Sequence, residues 1–160
     1  MKTALIPGSF DPMTVGHLDI IERTCAIFDK VIVAVMINES KEYTFTIEER
    51  KKIAELSLSH LSNVTVVSST GWLYRLFDEL GADVIVKGVR NSVDLEYENE
   101  MARFNLAKNP KAHTLYFPAS DMLADVSSTA FRKSLDCEGI KKYICPKAQS
   151  YVSELVAKKI

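Results

Sequence analysis

The feature that most limits how this chain can fold is a set of short apolar runs without polar alternation. They are Thr3–Ile6, Val31–Ile37, Val64–Val67, Val84–Val86 and Thr114–Phe117. A strand with one wet face alternates apolar and polar residues, whereas a continuous run marks a strand covered on both faces. Between these runs lie longer patterns at helical spacing. Leu18, Ile21, Cys25 and Phe28 form one stripe, Ile47, Ala54, Leu58 and Leu61 a second, and Trp72, Leu73, Leu76, Phe77 and Leu80 a third. Met101, Phe104 and Leu106 mark a fourth helix from about Val93 to Lys108, and Ala148, Val152, Leu155 and Val156 a C-terminal one that Pro146 can start. Strand and helix alternating in one chain predict a parallel sheet of five strands with helices on both faces and right-handed crossovers.

Local punctuation agrees. Thr46-Ile47-Glu48-Glu49 has the form of a capping box. Gly81 follows the third helix and suits a left-handed C-terminal cap. No linker, repeat or low-complexity segment divides residues 1–160, which read as a single domain. A net charge of −1 offers no global basic field for nucleic acid or a membrane surface, so any anion site must be built locally. Cys25, Cys137 and Cys145 are odd in number and widely spaced, which fits a reducing compartment and gives no metal cluster. With no signal peptide visible and no run of transmembrane length, the expected location is the cytoplasm.

Ligands of open α/β sheets bind outside the carboxyl ends of the strands. The residues that follow each run are therefore the candidates. The first run stops at Pro7-Gly8, and the loop carries Ser9, Phe10, Asp11-Pro12 and Gly16 before His17 opens a helix. Glycine, free backbone N–H groups and the positive end of a helix dipole suit a phosphate, although an ordinary helix start would look similar. The second run leads to Lys41, which alone reads as a solvated lysine. The fourth leads to Lys87-Gly88-Val89-Arg90, where two cations flank a glycine. Beyond it, Asp94 and Glu96 need only complement a helix dipole, while Glu98 is placed to orient an arginine or a ribose. The fifth leads to Val126-Ser127-Ser128-Thr129 and Arg132, with more hydroxyls than one helix cap uses. Trp72 and Tyr74 read as core or groove aromatics, and His60 and His113 as structural residues. Asp121 and Asp125 have no recognised metal-ligand spacing.

These stretches carry a resemblance. Ser9–His17 is similar to the T-x-G-H form of the nucleotidylyltransferase motif, and Val126–Thr129 to that superfamily's I-S-S-[ST] motif. Lys41, the segment Phe45–Arg50 (FTIEER) and Val86–Glu98 (VKGVRNSVDLEYE) resemble the bacterial phosphopantetheine adenylyltransferases, in register over nearly the whole chain. The resemblance implies a Rossmann-like fold of nucleotidylyltransferase type. It also implies adenylyl transfer from ATP to 4′-phosphopantetheine, giving dephospho-coenzyme A and pyrophosphate. Magnesium, a homohexamer and feedback inhibition by coenzyme A are implied in the same way. By the same analogy His17 is catalytic, and Ser9, Lys41, Leu73 and Lys87 hold the acceptor. Ser9, Phe10, His17, Gly88, Val89, Arg90 and Glu98 contact ATP, together with the stretch Leu123, Ala124, Asp125, Val126, Ser127, Ser128 and Thr129.

The chain departs from that pattern in several places. Ser9 stands where threonine is common, Val15 where asparagine is, Glu39 where proline is, and Lys87 where arginine is usual. Lysine keeps the charge and loses the bidentate fork. The loop from Pro118 to Val126 is one residue longer than the family pattern. Ser127-Ser128-Thr129 with Arg132 also resembles the nicotinate and nicotinamide mononucleotide adenylyltransferases, which makes such a mononucleotide the alternative acceptor. A non-catalytic adenine-nucleotide-binding module on the same fold is a further alternative, but gives no reason for Lys41 and Lys87.

Overall fold

The computed structural model describes residues 1–159. All five expected strands form: β1 (Thr3–Gly8), β2 (Lys30–Met36), β3 (Val64–Ser69), β4 (Val84–Val89) and β5 (Thr114–Pro118). They make one parallel sheet in the order β3-β2-β1-β4-β5. The helices are α1 (Val15–Cys25), α2 (Ile47–Ser57), α3 (Leu73–Glu79), α4 (Ser92–Lys108), α5 (Ser128–Arg132), α6 (Cys137–Tyr143) and α7 (Gln149–Lys159). Pro146 opens a short 3-10 turn, Pro146–Ala148, that leads into α7. The short α6 carries no strong apolar stripe and was not expected; Asp136 caps it by accepting the Gly139 N–H.

The period-2 geometry of strands divides the apolar runs between two cores. Ala4, Ile6, Val31, Val33, Val35, Val84 and Val86 face one side, where Ile20 and Ile21 of α1, Ile53 and Ala54 of α2, and Val152 and Leu155 of α7 cover them. Leu5, Ile32, Ala34 and Ile85 face the other, against Leu76 and Phe77 of α3. The central strands β1, β2 and β4 are mostly buried, while the edge strands β3 and β5 are largely half-exposed. The second face is the thinner. Asn105 is the only buried residue of α4, and Tyr97, Met101 and Leu106 of that helix stay exposed. Trp72, expected in the core or a groove, is 57% exposed and lies against Tyr74 and Phe104 on this surface.

The expected caps are present. Thr46 Oγ1 accepts the Glu49 N–H at 3.1 Å, and Glu49 Oε2 accepts the Thr46 N–H at 2.9 Å. Strand succession runs outward from β1 to β3, then resumes on the other side at β4. The order reverses between β1 and β4, so their adjacent carboxyl ends form the crevice where such sheets take ligands.

Gly81 gives a test remote from that crevice. Its φ of +63 requires the left-handed region, and a Cβ there would meet nothing within 4 Å. Gly81→Ala therefore costs only backbone strain, about 1 kcal/mol in urea unfolding, with activity unchanged. A neutral or stabilising result would show the turn to be freely adaptable.

Candidate active site

The crevice holds a cavity of about 330 Å³ between β1, β4 and the start of α5. Its first wall is the turn after β1. Gly8 allows the Phe10 ring to fold back, since a Cβ on Gly8 would meet that ring at 3.0 Å. Phe10 itself adopts φ 45, uncommon for a residue with a side chain. The turn is gripped from outside. Arg50 donates to the Ser9 carbonyl at 2.7 Å, Arg132 to the Asp11 carbonyl at 2.8 Å, and Ser128 to the Pro12 carbonyl at 2.7 Å. The buried Asp11 carboxylate accepts the backbone N–H groups of Thr44 and Phe45 at 2.9 and 3.0 Å, which ties in the loop after β2.

His17 is the third residue of α1 and helps cap it. The Thr14 N–H donates to His17 Nδ1 at 3.0 Å, the place a glutamate takes in an ordinary capping box. A backbone N–H can only donate, so Nδ1 is the acceptor and the proton of the neutral ring resides on Nε2. Enclosure by protein, and then the positive charges of Lys87 and Arg90, lower the His17 pKa to about 4. At neutral pH the ring is an uncharged N–H donor.

The opposite wall comes from β4 and α4. Gly88 packs its backbone on α1, where a Cβ would stand 2.9 Å from Ile20 Cγ1. Lys87 Nζ lies 3.3 Å from Glu98 Oε1 and donates to the Pro7 carbonyl at 3.3 Å. Arg90 Nε and Nη2 both donate to the Asp94 carboxylate, at 2.9 and 3.2 Å, and this holds the Asp94 carboxyl below the usual range. The acid that orients Arg90 is thus Asp94, not Glu98. Both lie on one face of α4, one turn apart, and Glu98 engages the lysine.

The last wall is the turn into α5. Ser127 caps the helix by accepting the Ala130 N–H at 3.0 Å. Ser128 is used on Pro12, and Thr129 Oγ1 accepts from Arg132 Nη2 at 3.2 Å. The loop before it is fastened to α1, with Ser120 donating to Asp19 at 2.9 Å and Arg23 to the Pro118 carbonyl at 2.7 Å.

Of the residues singled out in the sequence, Ser9, Phe10, His17, Lys87, Gly88, Arg90 and Glu98 line this cavity, as do Leu123, Val126, Ser127, Ser128 and Thr129. Val89, Ala124 and Asp125 belong to the same segments without lining it. Lys41 and Leu73 lie apart. Lys41 is exposed in the loop after β2, and Leu73 is half-buried against the second core at the start of α3. Four residues of consequence were not picked out for these roles: Asp11, Thr14, Asp94 and Arg50. For Arg50 a signal existed. The buried stripe of α2 is Arg50, Ile53, Ala54 and Ser57, and the arginine falls on its period.

The assembled groups are Lys87, Arg90, Arg132, a neutral histidine N–H and hydroxyls. This arrangement can bind a polyphosphate and stabilise growing negative charge. No group of three or more His, Cys, Asp or Glu side chains among the described residues is placed to hold a metal ion.

The His17 geometry predicts a pH dependence. Its folded-state pKa of about 4 lies below the ordinary histidine value of 6.5, so the unfolded chain takes the proton first as pH falls. The associated stability is whole above about pH 6.5 and is lost on the way down to pH 4, on the order of 3 kcal/mol. His17→Gln cannot titrate and should flatten that part of the unfolding free-energy profile. Nitrogen-detected NMR of the wild type should show the Nε2–H tautomer; a midpoint near 6.5 would contradict the electrostatic account.

Residues 5–134 match the Cytidylyltransferase-like family model. The chain is 40% identical over 139 residues to the phosphopantetheine adenylyltransferase of Limosilactobacillus reuteri, covering 87% of this chain and 80% of that one. It is 42% identical over 147 residues to that of Clostridium perfringens, covering 92% and 90%. Among solved structures, the fold is shared with a Plasmodium falciparum nicotinic acid mononucleotide adenylyltransferase, at TM-score 0.67 and 19% identity over 96% of both chains. It is also shared with a bifunctional NMN adenylyltransferase/ADP ribose pyrophosphatase from Francisella tularensis, at TM-score 0.69 and 19% identity over 99% of this chain and 53% of that one. Identities of 40–42% to curated relatives over most of each chain, with a family model matching residues 5–134, mean that this chain belongs to the phosphopantetheine adenylyltransferase family of nucleotidyltransferases.

Proposed function

We propose that this protein transfers the adenylyl group of ATP to 4′-phosphopantetheine, giving 3′-dephospho-coenzyme A and pyrophosphate, the penultimate step of coenzyme A biosynthesis. The observation that carries the reading is identity of 40–42% to phosphopantetheine adenylyltransferases over at least four-fifths of either chain. The site chemistry agrees. A phosphate oxygen of the acceptor attacks the α-phosphorus of ATP, the new P–O bond forms as the bond to the β-phosphate bridging oxygen breaks, and pyrophosphate leaves in line. The nucleophile is already anionic, so no serine, cysteine or general base is needed. Catalysis is alignment of two polyanions and stabilisation of charge on the transferring group.

In this reading His17 Nε2–H donates to an α-phosphoryl oxygen. Being neutral, the ring strengthens its bond as charge grows on that oxygen without binding the ground state as an ion pair would. Ser9 and Lys41 hold the acceptor phosphate, with Lys87 and Leu73 on the pantetheine side. Phe10, Gly88, Val89, Arg90, Glu98 and the segment Leu123–Thr129 contact ATP. Magnesium is expected to arrive with ATP. Three acidic residues line the cavity and each is already engaged, Asp11 by the Thr44 and Phe45 N–H groups, Asp94 by Arg90 and Glu98 by Lys87, so magnesium, when bound, would be held chiefly through the phosphates and would neutralise part of their charge. Coenzyme A carries the same pantetheine arm and an adenine nucleotide, which suits it as a competing feedback ligand. A location in the cytoplasm is supported by three free cysteines, and no helix of the described residues is long and apolar enough to cross a membrane.

Self-association is supported by the exposed apolar side chains Tyr97, Met101 and Leu106 on α4 and Leu115 on β5, and the family resemblance implies a homohexamer. Sedimentation equilibrium should give six subunits; a monomer at micromolar concentration would refute this part. Pyrophosphate release from ATP should require 4′-phosphopantetheine, and His17→Ala should lower turnover by about two to three orders of magnitude with ATP affinity largely kept. Turnover with nicotinamide mononucleotide but not with phosphopantetheine would transfer the assignment to the alternative acceptor. ATP binding with no turnover on either would leave a nucleotide-binding module.

A further inference from the structure

The largest fully buried side chain among the described residues is a cation, Arg50, at 1% exposure. It does not line the cavity, and no carboxylate pairs with it among the described residues. Its Nη1 donates to two backbone carbonyls, Ser9 at 2.7 Å and Met36 at 3.1 Å. The ring of Tyr43 lies 3.9 Å from its guanidinium carbon, and Nε is left without a partner. A buried cation with so little compensation is a poor stability device, since a packed apolar side chain would serve better. The contacts instead describe a node. Ser9 begins the turn after β1, Met36 ends β2, and Tyr43 closes the loop that carries Lys41, with its hydroxyl accepting the Asn38 N–H at 2.8 Å.

The bond to Ser9 has a directional consequence. In a trans peptide the C=O and the following N–H point in opposite directions. Drawing the Ser9 carbonyl toward Arg50 therefore turns the Phe10 N–H away from Arg50, which does not line the cavity whereas Ser9 and Phe10 do. The uncommon φ of 45 at Phe10 follows at once in the chain and needs such an external hold.

We propose that Arg50 is a positioning residue for the transfer reaction. It fixes the Ser9–Phe10 peptide with its N–H directed at the reacting phosphates. Through Met36 and Tyr43 it also sets the distance from that peptide to the Lys41 loop. The inference rests on the acceptor site proposed above. It assigns to a residue outside the cavity the spacing between the two segments of that site. Ser9 and Phe10 are shared with ATP in that reading, whereas the other nucleotide contacts, on Arg90 and the Ser127–Thr129 turn, do not pass through Arg50.

Arg50→Lys keeps the charge and most of the stem but cannot hold both carbonyls in the same plane. With the acceptor that the wild type turns over, kcat should fall about tenfold or more and the acceptor KM should rise severalfold, with calorimetric ATP affinity within about twofold. A merely structural role would not separate acceptor from ATP in this way. Tyr43→Ala removes the half-exposed stacking ring without opening the core and should raise the acceptor KM in the same direction. An unchanged acceptor KM in Tyr43→Ala overturns the proposal, whether or not Arg50→Lys folds. So does a folded Arg50→Lys with wild-type constants. Independently of turnover, inorganic pyrophosphate should shift the Phe10 amide resonance of the wild type and much less that of Arg50→Lys. Wild-type protein inactive on every acceptor would refute the enzymatic reading, and this amide comparison would still decide the role of Arg50; equal shifts in the two proteins would reject it.

Discussion

The carbonyls of Ser9, Asp11 and Pro12 are each held from outside the turn, by Arg50, Arg132 and Ser128. These three donors come from α2 and α5, more than forty and one hundred residues along the chain. Together with the Asp11 carboxylate on Thr44 and Phe45, they fix a backbone that would not choose its conformation by local preference. Everything proposed for the reacting phosphates depends on that turn being stiff. A flexible loop would have to be ordered by the ligand, at the expense of affinity and alignment.

In His17 a helix-cap contact also prepares the ring for the role proposed for it. Its bond from the Thr14 N–H would be worth roughly 1 kcal/mol as a cap. The same bond settles the tautomer and turns one ring nitrogen into an acceptor, leaving the other as the donor. Burial, and then the charges of Lys87 and Arg90, keep the ring uncharged. The helix start and the proposed reactivity thus rest on one hydrogen bond, enclosure and two neighbouring charges.

The sheet was legible in the sequence because burial on both faces leaves a continuous apolar run, and all five runs became strands. Ser9–His17, Lys87–Arg90 and Val126–Thr129 were legible because each is contiguous and follows a strand. What depends on packing was harder to see. Asp94 and Glu98 share a helix face, and only the three-dimensional path of the Arg90 loop decides which acid meets which cation. Arg50 stands in FTIEER beside ordinary surface charges, and a helical period alone does not distinguish a buried guanidinium from a solvated one. Trp72 reads as a core or groove aromatic, but it stays on the surface beside Tyr74 and Phe104. The polar segment Cys137–Tyr143 gave no stripe to read, because α6 is short and buries only Gly139 and Ile140.

The pairing of Lys87 with Glu98 and of Arg90 with Asp94 has a consequence for ionic strength. A site of bare cations binds a polyanion largely by long-range attraction, which salt screens within about 10 Å at 0.1 M. Here Lys87 and Arg90 each already have a carboxylate neighbour, so a phosphate bound there would exchange one anionic partner for another. The net charge seen from a distance is small, and what distinguishes phosphate from the resident carboxylate is the number and direction of donors around it. Recognition on this wall is thereby shifted from attraction to fit, and it should weaken with added salt far less than a count of its lysines and arginines implies.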